Sequence, residues 1–303
     1  MKIACITVFC NESFRLNKWV EFYDNYKEDL SLHIIVNNGN SSDTPTLKKA
    51  FPGSIVLESE GGNLLAAYNK GTNYSLKDPD VDAIMQITND VKFEKGAIRK
   101  LYNLLNSEKN LAVIGPVVLQ KDSFLVESYG IDYCKKTGEQ TYPYYGKELS
   151  EISESIRKVS YVPAGTILQK RKAIERMGQQ DENLNMYCDE RDMYFRLEKL
   201  GYYEAVTKTA IAWHQHINRP GSEDRSLRAP YFSSRNSIYL LHKHSGRYKA
   251  IICAMKVLLY EELLLFYHLI HKKNHHKLYF DRAVIIGTIH GLLKKMNATP
   301  KWL

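Results

Sequence analysis

The 303-residue chain has no Cys-x-x-Cys pair, and its five cysteines, at positions 5, 10, 134, 188 and 253, are an odd number. Both facts argue against a disulfide framework or a zinc knuckle and fit a reducing compartment. There is no Gly-x-Gly-x-x-Gly and no Gly-x-x-x-x-Gly-Lys-Ser/Thr, so neither a dinucleotide fingerprint nor a P-loop is supported. Long apolar runs are missing too. The opening run from Ile3 to Phe9 gives way to Asn11-Glu12, too short for a signal peptide or a membrane span. In the apolar segment that starts at Arg247, the longest stretch without Asp, Glu, Lys or Arg is Leu263–His271, far below the ~20 residues a spanning helix needs.

The chain also lacks an even spread of charge. Its formal +8 comes from 42 Lys and Arg against 34 Asp and Glu. Residues 1–218 hold 27 basic and 29 acidic side chains, a net of −2, whereas residues 219–303 hold 15 and 5, a net of +10. Seven of the ten histidines lie between His242 and His290. A uniformly basic nucleic-acid binder is thereby excluded, and no recognisable binding module interleaves the basic residues. At 44% hydrophobic and 25% charged, the composition is that of a folded protein. The expected division is a near-neutral body over 1–218 and a basic, apolar-rich helical region over 219–303.

What is present in the first half is an alternation of strand and helix. Ile3 to Phe9 is almost continuously apolar, as for a strand covered on both faces. Leu16, Trp19, Val20 and Tyr23 recur at helical spacing, and Leu32–Val36 is a second strand. Thr44-Pro45 opens a helix. Ser54–Leu57, Ala83–Thr88 and Leu111–Gly115 read as strands, separated by helical patterns over 63–76 and through Ile98, Leu101 and Leu105. This pattern predicts an α/β fold with a mainly parallel sheet and flanking helices. Ligands of such sheets bind beyond the carboxyl ends of the strands, where Cys10-Asn11-Glu12, Asn37-Asn38-Gly39 and Thr88-Asn89-Asp90 lie. Each cluster alone is also explained as turn chemistry.

Two acidic features stand out further. Asp90 follows a strand, where a carboxylate suits a hard divalent cation with diphosphate oxygens and water completing its shell. Asp189-Glu190-Arg191-Asp192 precedes Met193, Leu197 and Leu200 and a terminating Gly201, so the acids occupy a helix N-terminus. Complementing the helix dipole explains some of that charge, but four charged residues in a row exceed it, and Asp181-Glu182 lies just upstream. In Trp213-His214-Gln215-His216, an extended chain sends the two histidines to opposite sides, so one at most faces a site.

The order and spacing resemble glycosyltransferase family 2, the inverting GT-A-fold enzymes, within their rhamnosyltransferase-like branch. The resemblance spans about Lys2 to Tyr239. Asn37-Asn38-Gly39 through Asp43 is similar to the family's base-contacting segment. Asn63 with Tyr68-Asn69-Lys70-Gly71 resembles its diphosphate-side Asn…Asn-Arg-Gly stretch. Thr88-Asn89-Asp90 stands at the Asp-x-Asp metal motif and keeps its last Asp. Ile114-Gly115-Pro116 and Ala164-Gly165-Thr166 resemble small-residue segments further on. Gly178 through Glu182, then Asp189 to Asp192, Arg196 and Gly201, resemble the Gly-x-x-Asp-Glu…Glu-Asp-x-Asp…Arg…Gly signature, and Arg235-Asn236 a recurrent Arg-Asn pair.

The resemblance implies a Rossmann-like GT-A domain with a C-terminal helical extension. It implies an inverting transfer of a sugar, rhamnose in this branch, from a dTDP- or UDP-linked donor to a saccharide or lipid-linked acceptor in surface polysaccharide synthesis. Glu190 takes the place of the general base, with Asp189 the runner-up because the pair is swapped, and Asp181 orients the acceptor or a loop. Thr7, Phe9, Asn11, Asn37, Asn63, Lys70, Asn89 and Arg235 fall on the nucleotide side. Lys70 and Arg235 are candidates to supplement the charge on the leaving diphosphate. Asp90 and His214 would hold Mg²⁺ or Mn²⁺. Two other classes stay open: a sugar-nucleotide pyrophosphorylase, against which residues 8–15 lack a Gly-rich basic loop, and a non-catalytic glycan-binding scaffold on a degenerate GT-A fold.

The tail beyond the resemblance reads as a helical hairpin. Met255, Leu258, Leu259 and Glu262 do not trace one clean face. Packing on the catalytic domain or as a homodimer is one expectation. Peripheral contact with anionic lipid, at the cytoplasmic face of the cell membrane, is the other.

Overall fold

The computed structural model describes residues 2–216, 227–271 and 275–300. Its strands are β1 (Ile3–Phe9), β2 (Leu32–Asn37), β3 (Ile55–Glu58), β4 (Ala83–Ile87), β5 (Val91–Phe93), β6 (Leu111–Gln120), β7 (Val126–Ser128), β8 (Asp132–Tyr133), β9 (Gln140–Thr141), β10 (Ile156–Val159), β11 (Thr166–Lys170) and β12 (Tyr203–His214). Its helices are α1 (Leu16–Tyr26), α2 (Thr44–Ala50), α3 (Leu64–Ser75), α4 (Ala97–Ser107), α5 (Arg171–Met177), α6 (Asp189–Lys199), α7 (Arg228–Ser245), α8 (Arg247–Ile270) and α9 (His275–Leu292). The chain divides into two compact units, residues 1–180 with 193–220 and residues 181–192 with 221–303. The expected boundary at 218 lies outside the described residues, and the acidic segment 181–192 groups with the second unit.

In the first unit the sheet runs β10-β12-β6-β11-β4-β1-β2-β3, with β5 on β12 and β7 on β6. Pairs β1–β2, β1–β4, β2–β3 and β6–β12 are parallel, as the βα alternation predicts. β11 pairs antiparallel with both β4 and β6, so those two strands still run the same way. The carboxyl ends of β1, β2, β4, β6 and β12 therefore share one edge.

All seven residues of β1 are buried, which accounts for its unbroken apolar run. One face packs Phe9, Trp19, Ile35, Leu47 and Phe51; another joins Met85, Phe93, Ile98, Leu101 and Leu105. Pro116, which has no N–H to give a neighbour, sits in the central strand β6. Opposite it the register of β12 shifts between Thr207 and Ile211, a bulge of the kind that admits proline in a sheet.

In the second unit α7 packs on α9, where a Cβ added at Gly287 would lie 2.4 Å from the Tyr231 carbonyl oxygen, so only glycine allows that approach. Tyr231, Phe232 and Ala283 form one small core, and Ile238, Ala250 and Ala254 another. Among the described residues no helix is long and apolar enough to cross a membrane.

Candidate active site

The loops at the shared edge are first of all self-supporting. Asn37 Nδ2 donates to the Asn40 carbonyl (2.8 Å) and to Thr44 Oγ1 (3.1 Å), and its Oδ1 accepts from Gly39 N (3.0 Å). Asn11, at φ 55°, accepts from Asn40 N through Oδ1 (2.8 Å). A Cβ at Gly39 would lie 2.4 Å from that same oxygen, which fixes glycine there. Asn63 caps α3, its Oδ1 taking the amides of Leu65 and Ala66. Thr7 and Phe9 are buried in β1, Phe9 against Trp19. Lys70 is exposed on α3.

Asp90 is brought beside His214 by the short ladder of β5 on β12, in which Val91 pairs with His214 and Gln215 N donates to the Asp90 carbonyl (2.9 Å). Asp90 Oδ2 lies 3.6 Å from His214 Nε2 and 3.1 Å from Arg15 Nη1. Arg15 also meets Glu12 (3.1 Å) and Asn89 Oδ1 (3.0 Å), and Asn89 donates to Glu12 (2.6 Å). Burial raises the Asp90 pKa, but His214 and Arg15 outweigh it and hold the carboxyl below its ordinary value.

Glu127 completes this group, and nothing in the sequence pattern singled it out. Ser128 pairs with Val118 and Val126 with Leu119, so Glu127 is the extra residue of a β-bulge. Its carboxylate lies 2.7 Å from His214 Nδ1 and 2.8 Å from His216 Nε2. The expectation that the two histidines diverge is corrected here. β12 ends at His214, His216 adopts φ 46°, and the two rings come to 3.9 Å between centroids. Burial lowers the His214 pKa, yet Asp90 and Glu127 outweigh it and raise it to about 9.

The donor set suits a divalent cation. Oxygen and imidazole donors of Asp90 and His214 stand at a separation one ion can bridge, and a second group, Glu127, His214 and His216, has ligand atoms all within 4.8 Å of one another. Glu127 also lines a cavity of about 810 Å³ with Ile131, Gln140, Tyr142, Tyr145 and Pro163.

The second unit carries the other carboxylates. Asp181 Oδ2 accepts from Tyr239 (2.9 Å) and Lys243 (2.6 Å). Burial raises its pKa, and Lys243 outweighs that and lowers it. Asp192 is buried against Lys243 (2.9 Å) and His244 Nε2 (2.7 Å). Asp189 differs: burial and then the neighbouring Glu190 push its pKa well above the ordinary carboxylate value. The backbone leading to it is strained, with Asn185, Tyr187 and Cys188 at φ 65°, 64° and 64°.

That strained loop explains Arg235-Asn236, and Arg235 is a correction to the reading as a diphosphate contact. Arg235 is fully buried, donating to the Met296 carbonyl (2.6 Å), to Asn183 and Leu184 carbonyls (3.1 and 2.8 Å) and to Asn236 Oδ1 (2.9 Å). Asn236 Nδ2 meets the carbonyls of Leu184, Met186 and Tyr187 at 2.9, 2.8 and 2.9 Å. The pair clamps the loop that leads into Asp189 and Glu190.

No family model matches the chain. A curated relative, the N-acetylglucosaminyl-diphospho-decaprenol L-rhamnosyltransferase of Mycobacterium tuberculosis (strain CDC 1551 / Oshkosh), is 24% identical over 240 residues, covering 72% of this chain and 76% of the relative. The protein of that name from strain ATCC 25618 / H37Rv matches to the same extent. Among solved structures, the crystal structure of GalNAc-T7 with UDP, GalNAc and Mn2+ superposes with a TM-score of 0.59 at 12% identity, over 80% of this chain and 48% of that chain. The chain thus spans about half the length of that structure. The chain has the mostly parallel sheet and flanking helices of a GT-A glycosyltransferase, and over most of its length it is similar to curated rhamnosyltransferases.

Proposed function

We propose that the chain is an inverting glycosyltransferase that moves a sugar from a dTDP- or UDP-linked donor to a saccharide or lipid-linked acceptor in surface polysaccharide synthesis. Rhamnose is the preferred sugar, in keeping with the name of the curated relative. The observation that carries this reading is the pairing of Asp90 with His214 at the carboxyl edge of a GT-A sheet, backed by Glu127.

Asp90 and His214 would hold a divalent cation, Mg²⁺ or Mn²⁺, which when bound neutralises charge on the departing diphosphate. Glu127 fixes the His214 ring by accepting from Nδ1, which turns Nε2 towards Asp90. Arg15 shares the Asp90 oxygen, so it supplies positive charge at the same spot. Tyr142 and Tyr145 give the adjoining cavity an aromatic wall for a sugar ring, and Gln140 gives it a polar one.

Inversion needs one in-line displacement and a base for the acceptor hydroxyl. Burial and the adjacent Glu190 carboxylate raise the Asp189 pKa well above the ordinary carboxylate value, so this helix N-terminus is a setting for proton handling. Glu190 is assigned as the base, with Asp189 its proton-holding neighbour. Asp181, bound by Lys243 and Tyr239, keeps its negative charge and organises its own loop.

Calorimetry with UDP and dTDP, with and without Mn²⁺, tests the donor side. Binding strengthened by Mn²⁺ is expected. No binding of either nucleotide would favour the glycan-binding scaffold instead. A donor-hydrolysis screen across sugar nucleotides then identifies the sugar.

A further inference from the structure

Helix α8 is apolar on the face it turns outward as well as on the face it packs. Ile252, Met255, Leu259, Leu263, Phe266 and Ile270 follow one another at steps of three or four, and every one is more than half exposed. They form a continuous outward stripe roughly 27 Å long at 1.5 Å per residue. The packed face is apolar as well, with Ala250 and Ala254 buried, although Glu261 is buried there too and His268 Nδ1 lies 2.6 Å from Asp281 Oδ2 of α9. A surface helix ordinarily turns a polar face to water. Exposed apolar stretches of this extent mark a contact surface.

We propose that this face of α8 lies in the headgroup region of an anionic bilayer. Charge selects the occupant. Lys249 and Lys256 are exposed on α8, and Lys277, Lys294 and Lys295 on and just after α9, whereas Glu262 is the one exposed acid of α8. Residues 219–303 carry a net +10, which a second copy of the chain would repel and anionic lipid would attract. Tyr248, Tyr260 and Tyr267, also exposed, supply rings suited to the headgroup level. The helix is not apolar enough to cross the membrane, so it rests along the surface.

Sedimentation of the full chain with vesicles tests this, and it needs neither donor nor acceptor. Binding is expected to vesicles of phosphatidylcholine with phosphatidylglycerol and not to phosphatidylcholine alone. The double change Leu263→Glu and Phe266→Glu, at exposed positions, is expected to weaken binding about tenfold or more with an unchanged circular dichroism spectrum. Should that variant misfold, Lys249→Glu and Lys256→Glu serve instead, with about a fivefold loss per charge and a steep fall with added salt. Absence of binding to the anionic vesicles, or binding indifferent to all these changes, overturns the proposal. So does a concentration-dependent dimer in light scattering that the same changes abolish, since that outcome makes a second copy the occupant.

Discussion

The two units each hold a cluster of carboxylates among cations, and the clusters are built to opposite ends. At the sheet edge of the first unit, Asp90 and Glu127 are both held below their ordinary pKa by His214, with Arg15 and His216 alongside. Asp90 and Glu127 therefore favour their charged forms, as the proposed cation site requires. In the second unit the carboxylates part company. Lys243 keeps Asp181 ionised, while eight residues further on burial and Glu190 raise Asp189. Under the proposed function, the first cluster serves binding, and the second, through Asp189 and its neighbour Glu190, serves proton transfer.

The sharpest way to break that contrast is to neutralise the second cluster alone. Glu190→Gln is expected to lower kcat by ~10²–10⁴ while calorimetric affinity for nucleoside diphosphate survives. Equal loss of both would remove the distinction between a binding and a proton-transfer cluster. Next in size is the clamp beneath it. Arg235→Met takes the side-chain donor from the Asn183 and Met296 carbonyls and leaves Leu184 with Asn236 but without Arg235, and is expected to cost roughly 2–5 kcal/mol in denaturant unfolding. The first cluster is probed by Glu127→Gln. It frees the His214 ring to turn and is expected to weaken Mn²⁺ binding ~10–100-fold, with metal-free nucleotide affinity unchanged.

The same contrast shows how far the sequence can be read. The βα frame through β6 was legible because burial on two faces writes itself into short apolar runs, and Gly201, at φ 80°, does end the stretch after α6. The carboxylates at 189–192 stood out because they are consecutive. Glu127 did not, since its partner lies 87 residues away and its aim comes from a bulge, which leaves no periodic trace. Asn63 and Asn37 had two readings, and in both the side chain is engaged in capping or turn bonds. Arg235 looked like a free cation only because the carbonyls it bonds come from a loop some fifty residues earlier. The stripe on α8 was hidden because that helix is apolar nearly all round, so only packing tells its outside from its inside.

The smallest effect expected separates two histidines of the first unit. His214 sits between carboxylates, with its pKa raised to about 9; His33 is buried with Nδ1 2.8 Å from Ser54 Oγ, and burial lowers it to about 3. Unfolded, each titrates near 6.5. His33 takes up a proton on unfolding but not in the folded chain, so its contribution is complete above about pH 6.5 and is lost as pH falls towards 3. The slope from this group is at most about 1.4 kcal/mol per pH unit. His214 works in the other direction: in protein freed of metal, its contribution is complete below about 6.5 and is lost as pH rises towards 9. The difference between the parent chain and a His33 variant in denaturant unfolding from pH 4.5 to 6.5 isolates His33, since raised carboxyls such as Asp189 contribute to both alike. His33→Phe, filling the same space between Trp19, Tyr23 and Phe51, is expected to flatten the acid-side slope while leaving the alkaline side as it was. If the acid-side slope survives His33→Phe unchanged, the histidine does not stand uncharged in the core. The opposition between a charged edge and an uncharged interior in the first unit would then fail at this residue.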